Sequence, residues 1–99
     1  PSCFICRPVL KNENLYFAVI VTRNWGTYDG MLAILDKSNL VVSMPGGNKP
    51  IYNGSSLIPP IYDQKTFLNP HDVCVDNDEN IYVPQWNSEK TYPLKLTRV

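Results

Sequence analysis

The sequence predicts an all-β fold of antiparallel meander sheets, and three features of its 99 residues lead there. Hydrophobicity holds no helical period over any useful window. Short runs rich in β-branched and aromatic residues recur instead, separated by Gly, Pro, Asn and Asp. The clearest unit lies between Phe67 and Leu96: Val73 and Val75 alternate with other residues, Asp76–Asn80 (DNDEN) supplies turn formers, and Ile81 and Val83 resume the alternation.

The strands follow in chain order. Cys3–Arg7 and Leu15–Thr22 flank a turn at Lys11-Asn12-Glu13-Asn14. Met31–Asp36 and Leu40–Met44 flank a tight turn at Asp36-Lys37-Ser38-Asn39. His71–Val75 and Asn80–Pro84 flank the DNDEN turn, and Tyr92–Arg98 ends the series. Pro70 fixes the chain's direction just ahead of His71, which puts the imidazole at a strand mouth and not in mid-sheet.

The early strands read as one up-and-down meander and the later ones restart the pattern, so the chain reads as an internal repeat. Lys11–Asn14 and Asn77–Asn80 are matched as equivalent turns, each followed by an apolar run with aromatics, Leu15-Tyr16-Phe17 and Ile81-Tyr82-Val83. Asn24-Trp25 and Gln85-Trp86-Asn87 follow the second strand of each unit. The organisation expected is a first unit at 1–44, a connector at 45–66 and a second, incomplete unit at 67–99. The connector holds four of the nine prolines and three of the five glycines, and its length points to a function or to fixed docking across the domain.

Composition excludes several classes. Nine basic and nine acidic side chains leave no net charge, so no basic surface for nucleic acid is expected. The longest apolar run, Leu15–Val21, falls far short of the roughly 20 residues that span a bilayer. Pro1 opens the chain without a methionine, consistent with a removed signal peptide or with a trimmed fragment. Cys3 and Cys6 form a C-x-x-C pair and Cys74 stands alone, which fits neither a complete disulfide framework nor a four-ligand zinc site. Cys3 and Cys6 are expected as strand or edge residues and Cys74 as core. Asp76, Asp78 and Asn80 alternate like the start of a calcium loop but lack its glycine and distal glutamate, and read as a solvated turn. Gly46-Gly47 precedes no helix and makes no phosphate cradle, and no G-x-S-x-G supports a hydrolase.

Pro70-His71-Asp72-Val73-Cys74-Val75-Asp76 followed by Asn80-Ile81-Tyr82-Val83-Pro84-Gln85-Trp86 resembles an NHL-type repeat of a six-bladed β-propeller. The resemblance is specific over Phe67–Val99 and weaker over Phe4–Met44. It implies a partial β-propeller of about two blades, with the missing blades supplied by a longer parent chain, since closed propellers have about four to eight. A subset of such propellers, the peptidyl-α-hydroxyglycine α-amidating lyases, directs histidines of P-H-D-[IV] strands into the central channel to hold zinc. By that likeness His71 would be one zinc ligand, with Asp72 beside it, and the remaining ligands would come from other blades.

Two functions follow from these readings. The first is a binding or interaction module, secreted or otherwise outside the cytoplasm. A small molecule, glycan or peptide would meet Asp72, Gln85, Trp86 and Asn87 at the rim of a rigid sheet. The second is a zinc-dependent amidating-lyase-like enzyme with His71 in the metal shell. Packing is the plainer role for Tyr82, Trp25 and Trp86.

Overall fold

The computed structural model describes residues 4–21, 30–63, 66–86 and 92–99. Among them it contains β-strands, turns and loops, with all strand pairing antiparallel. No helix among them is long and apolar enough to cross a membrane. Strands β1 (Phe4–Lys11), β2 (Asn14–Val21), β3 (Met31–Leu35) and β4 (Val41–Ser43) form a four-stranded sheet in sequence order. Strands β5 (Tyr52–Asn53) and β6 (Ser56–Leu57) form a small hairpin, and β7 (Cys74–Val75), β8 (Ile81–Val83) and β9 (Leu94–Leu96) form a three-stranded sheet.

β1 runs past the expected end at Arg7, because Pro8 falls where the register with β2 slips between Cys6 and Val9. An outer strand tolerates proline at such a bulge, since no ladder hydrogen bond is lost. β7 and β9 are shorter than expected. Pro70 makes an isolated bridge to Gln85 ahead of β7, and Pro93, which has no N–H to offer, precedes β9. The β5–β6 hairpin lies inside the expected connector. Gly54 takes φ +62° as the first residue of its two-residue loop, the position where a II′ turn uses glycine.

The turns are specified one by one. Asn12 (φ 49°) and Glu13 (φ 68°) both lie in the left-handed region, as the two-residue loop of a I′ hairpin between Lys11 and Asn14 requires. The Asp36 and Asp76 turns are geometric copies. The carboxylate of Asp36 accepts from the N–H of Ser38 (2.8 Å) and Leu40 (3.1 Å), and that of Asp76 from the N–H of Asp78 (3.0 Å) and Asn80 (2.9 Å). Asn39 and Glu79 each sit at φ 63°. The turn that Asp76 repeats is therefore the one at Asp36, not the one at Lys11–Asn14. Lys11 and Asn12 instead touch the Asp76 turn: Lys11 Nζ donates to Asn77 Oδ1 (2.7 Å) and Asn12 Nδ2 to Glu79 Oε1 (3.4 Å).

Alternation sorts the side chains into two layers. Tyr16, Ala18 and Leu32 on one face of the first sheet meet Val73, Ile81 and Val83 of the second, with Phe67 buried among them. Cys6, Val9, Ile34, Val75, Leu94 and Leu96 pack around this core. On the opposite face of the first sheet, Val19, Met31 and Ala33 form a second cluster with Met44, flanked by Phe17, Leu35, Val41 and Tyr62. β2 and β3 are thus apolar on both faces. The second sheet is apolar on one face only, because Cys74, Tyr82 and Lys95, which pair across its strands, point away from the core. Cys74 is exposed, contrary to the core placement expected for it; Val73 and Val75 take the inward positions on either side of it.

The connector is tied down. Leu32 N–H donates to Pro45 O (2.9 Å), Asp63 N–H to Gly46 O (2.9 Å) and Asn48 N–H to Ile61 O (3.0 Å). Asn48 Oδ1 also accepts from Ile61 N–H (2.6 Å). Two glycines permit the close approach of the segment that follows. A Cβ on Gly30 would lie 2.3 Å from Pro70 Cδ, and one on Gly46, at φ +87°, would lie 2.7 Å from Phe67 Cδ2.

Candidate functional site

His71 lies just before β7, beside the Pro70–Gln85 bridge, so the imidazole stands at the mouth of the strand. Its backbone N–H donates to Pro84 O (3.0 Å) and its side chain is exposed. Asp72 bonds elsewhere. One carboxylate oxygen accepts from the N–H of Val73 (2.8 Å) and the other lies 3.5 Å from Arg7 of β1. The partner of Asp72 is therefore a cation on the neighbouring sheet, not the adjacent imidazole. With Arg7 76% exposed, this ion pair contributes little to stability, but it joins the two sheets at the end where His71 sits. Charge spacing in the sequence gives no hint of a pairing between residues so far apart.

Gln85 is committed to structure. Its Oε1 accepts from Leu68 N–H at 2.6 Å, and Trp86 N–H donates to Asn69 O at 2.8 Å. Together they clamp the Phe67–Pro70 entry segment to the end of β8. Trp86 is 50% exposed. Asn87, Trp25 and Cys3 lie outside the described residues.

Cys6, packed at the margin of the core, has its thiol pushed above the ordinary value by burial and then by the charge of Asp72. It is correspondingly less nucleophilic. Among the described residues, no three His, Cys, Asp or Glu side chains gather as a metal shell would require. His71 is one donor, and zinc needs about three from protein, so these residues do not by themselves fit a catalytic zinc.

The Asp76 carboxylate accepts four hydrogen bonds. Besides the two turn amides, it accepts from Asn80 Nδ2 (3.1 Å) and from the Tyr82 hydroxyl (3.0 Å). Dehydration pushes its carboxyl up, but the donors of Asn80, Tyr82 and Asp78 outweigh this and hold it below its ordinary value. Arg98 closes the turn from the far side, with its backbone N–H donating to Asn80 Oδ1 (3.1 Å) and its guanidinium paired with Glu79. The turn thus serves as a structural knot whose acceptor oxygens are already in use.

No family model, curated protein or solved structure matches this chain.

Proposed function

We propose that the chain is a two-sheet piece of an NHL-type β-propeller acting as a binding or interaction module. The observation that carries this reading is the two-faced first sheet. β2 and β3 are apolar on both sides: one side accepts the next sheet along the chain, and on the other Val19, Met31 and Ala33 are buried with Met44 beside Tyr62. Ile5 (56% exposed) and Leu10 (72%) pair with Val19 and Leu15, so they lie on that second side, whose β1 end stays open. A sheet that buries one face leaves polar residues on the other; a sheet with two apolar faces belongs between neighbours, as a blade does in a ring. The Lys11–Asn14 turn of the first sheet touches the Asp76 turn of the second, so the two sheets also meet at their turns.

In this reading the segments 1–44 and 67–99 belong to successive blades, and the open end around His71 and Trp86 meets a small molecule, glycan or peptide. Loops and strand mouths on a rigid sheet commonly carry such contacts. The test is the rest of the parent reading frame: further strand–turn–strand units with the same alternation would support a ring, and flanking sequence without them would end the proposal.

The exposure of His71 at its strand mouth favours a second reading, in which the complete protein is a zinc-dependent amidating-lyase-like enzyme and His71 is one of several ligands drawn from different blades. Metal analysis of the complete protein and of its His71→Ala variant tests this. Equal zinc in the two would remove His71 from the metal shell.

A further inference from the structure

Each sheet edge exposes unpaired peptide groups, and the edges of this protein differ in how they are treated. β1 carries Pro8 and a bulge, β7 has only two residues, and β9 presents Lys95; proline, bulges, short strands and lysine are all known ways of blunting an edge. β4 is three residues long with a register slip opposite Ile34 and Leu35, but it carries neither proline nor lysine, and Val42, left out of the register, is 49% exposed.

At β4 a side chain takes over. The Tyr52 hydroxyl accepts from Val41 N–H (2.7 Å) and donates to Val41 C=O (3.0 Å). The N–H and C=O of one residue on a strand point to the same side, and a neighbouring antiparallel strand satisfies both together. One phenolic oxygen does the same here, because a hydroxyl is donor and acceptor at once. Its carrier is held rigidly: the β5–β6 hairpin folds on the Gly54 turn, Ile58 N–H donates to Ile51 O (2.8 Å), and the flanking segment is anchored through Asn48 and Ile61. Between this arm and β4 lies an open groove of about 570 Å³, with Val42, Pro45 and Pro50 among its walls.

We propose that Tyr52 is an autoinhibitory edge cap, holding the strand-pairing position of Val41 and so keeping β4 from adding a strand of a second copy of this chain. The device is independent of whether the sheets belong to a ring. It also gives the Pro- and Gly-rich connector a purpose, to deliver one phenol to one peptide unit.

The experiment is amide hydrogen exchange and sedimentation on the full chain and on Tyr52→Phe, which keeps the ring and removes the oxygen. In the unaltered protein the Val41 amide should be protected although it lies on an edge strand. In Tyr52→Phe it should exchange about tenfold faster, the scale of one lost hydrogen bond, and self-association should rise above that of the unaltered chain. Adding Val42→Lys to Tyr52→Phe should cancel the rise by charging the opened edge. Free exchange of Val41 in the unaltered protein overturns the proposal whether or not the variant folds. So does a Tyr52→Phe variant with no added association, or with added association that Val42→Lys leaves unchanged.

Discussion

Gly46→Ala is expected to loosen the joint between connector and core through two separable effects. At φ +87° an L side chain is disfavoured by roughly 1–3 kcal/mol. The new Cβ would also lie 2.7 and 2.9 Å from Cδ2 and Cε2 of Phe67, a ring only 1% exposed and surrounded by both sheets. Phe67 has nowhere to move without opening the core, and overpacking of this kind costs about 1–3 kcal/mol. The sum, roughly 2–6 kcal/mol, is a large part of the approximately 5–15 kcal/mol that stabilises an ordinary domain. Gly54→Ala is the internal control: its φ is +62°, yet nothing lies within 4 Å of its Cβ, so only the backbone effect remains. Urea unfolding of both variants beside the unaltered chain separates the effects. Gly46→Ala should lose more than Gly54→Ala by about 1–3 kcal/mol. Equal losses would refute the idea that the Gly46–Phe67 approach sets the packing.

Other outcomes follow from single sites. Glu13→Gly should raise the free energy of unfolding in urea by about 1 kcal/mol, because glycine takes up without strain the left-handed turn position that Glu13 holds at φ 68°; an unchanged or lower value counts against the I′ assignment. Iodoacetamide near pH 8 should alkylate exposed Cys74 before Cys6, whose thiol is held high by burial and by Asp72, and peptide mapping giving the reverse order would contradict the packing of β1. Asp76 has a depressed folded-state carboxyl, so its contribution is fully present above its unfolded value of about 4 and fades as pH falls through the lower folded value. Asp76→Asn should therefore flatten the acid limb of a stability-versus-pH curve, and an acid limb as steep as that of the unaltered chain would remove Asp76 as its source.

The strands were legible because alternation is a local signal. Val73 and Val75, Ile81 and Val83, and the run of β2 all declare themselves within a few residues. The same alternation, followed one step further, places Cys74 outward, opposite Tyr82. The β5–β6 hairpin was hidden because each strand has two residues, too few for any period, and prolines surround it. Its one local cue is the Gly54-Ser55 pair between Asn53 and Ser56. The kinship of the Asp36 and Asp76 turns rests on one aspartate and one left-handed residue four positions into each loop. Because that residue is Asn39 in one and Glu79 in the other, the likeness is conformational more than chemical. At the candidate site the sequence brings His71 and Asp72 together by adjacency. The bond Asp72 makes runs to Arg7 on the other sheet, a tertiary fact that only packing reveals. Tyr52 is invisible to sequence for the same reason: its partner is a main-chain unit, which every residue possesses.

On the proposed reading, the exposed β1 end of the first sheet's second face, with Ile5 and Leu10, lies against another sheet. Sedimentation velocity over a concentration series, on the chain and on its Ile5→Lys/Leu10→Lys variant, tests it most directly. Concentration-dependent association of the chain with weakly cooperative melting, both relieved in the double variant, is the outcome expected from the exposed Ile5 and Leu10. A chain that stays monomeric at every concentration and unfolds in one sharp, reversible transition would contradict it.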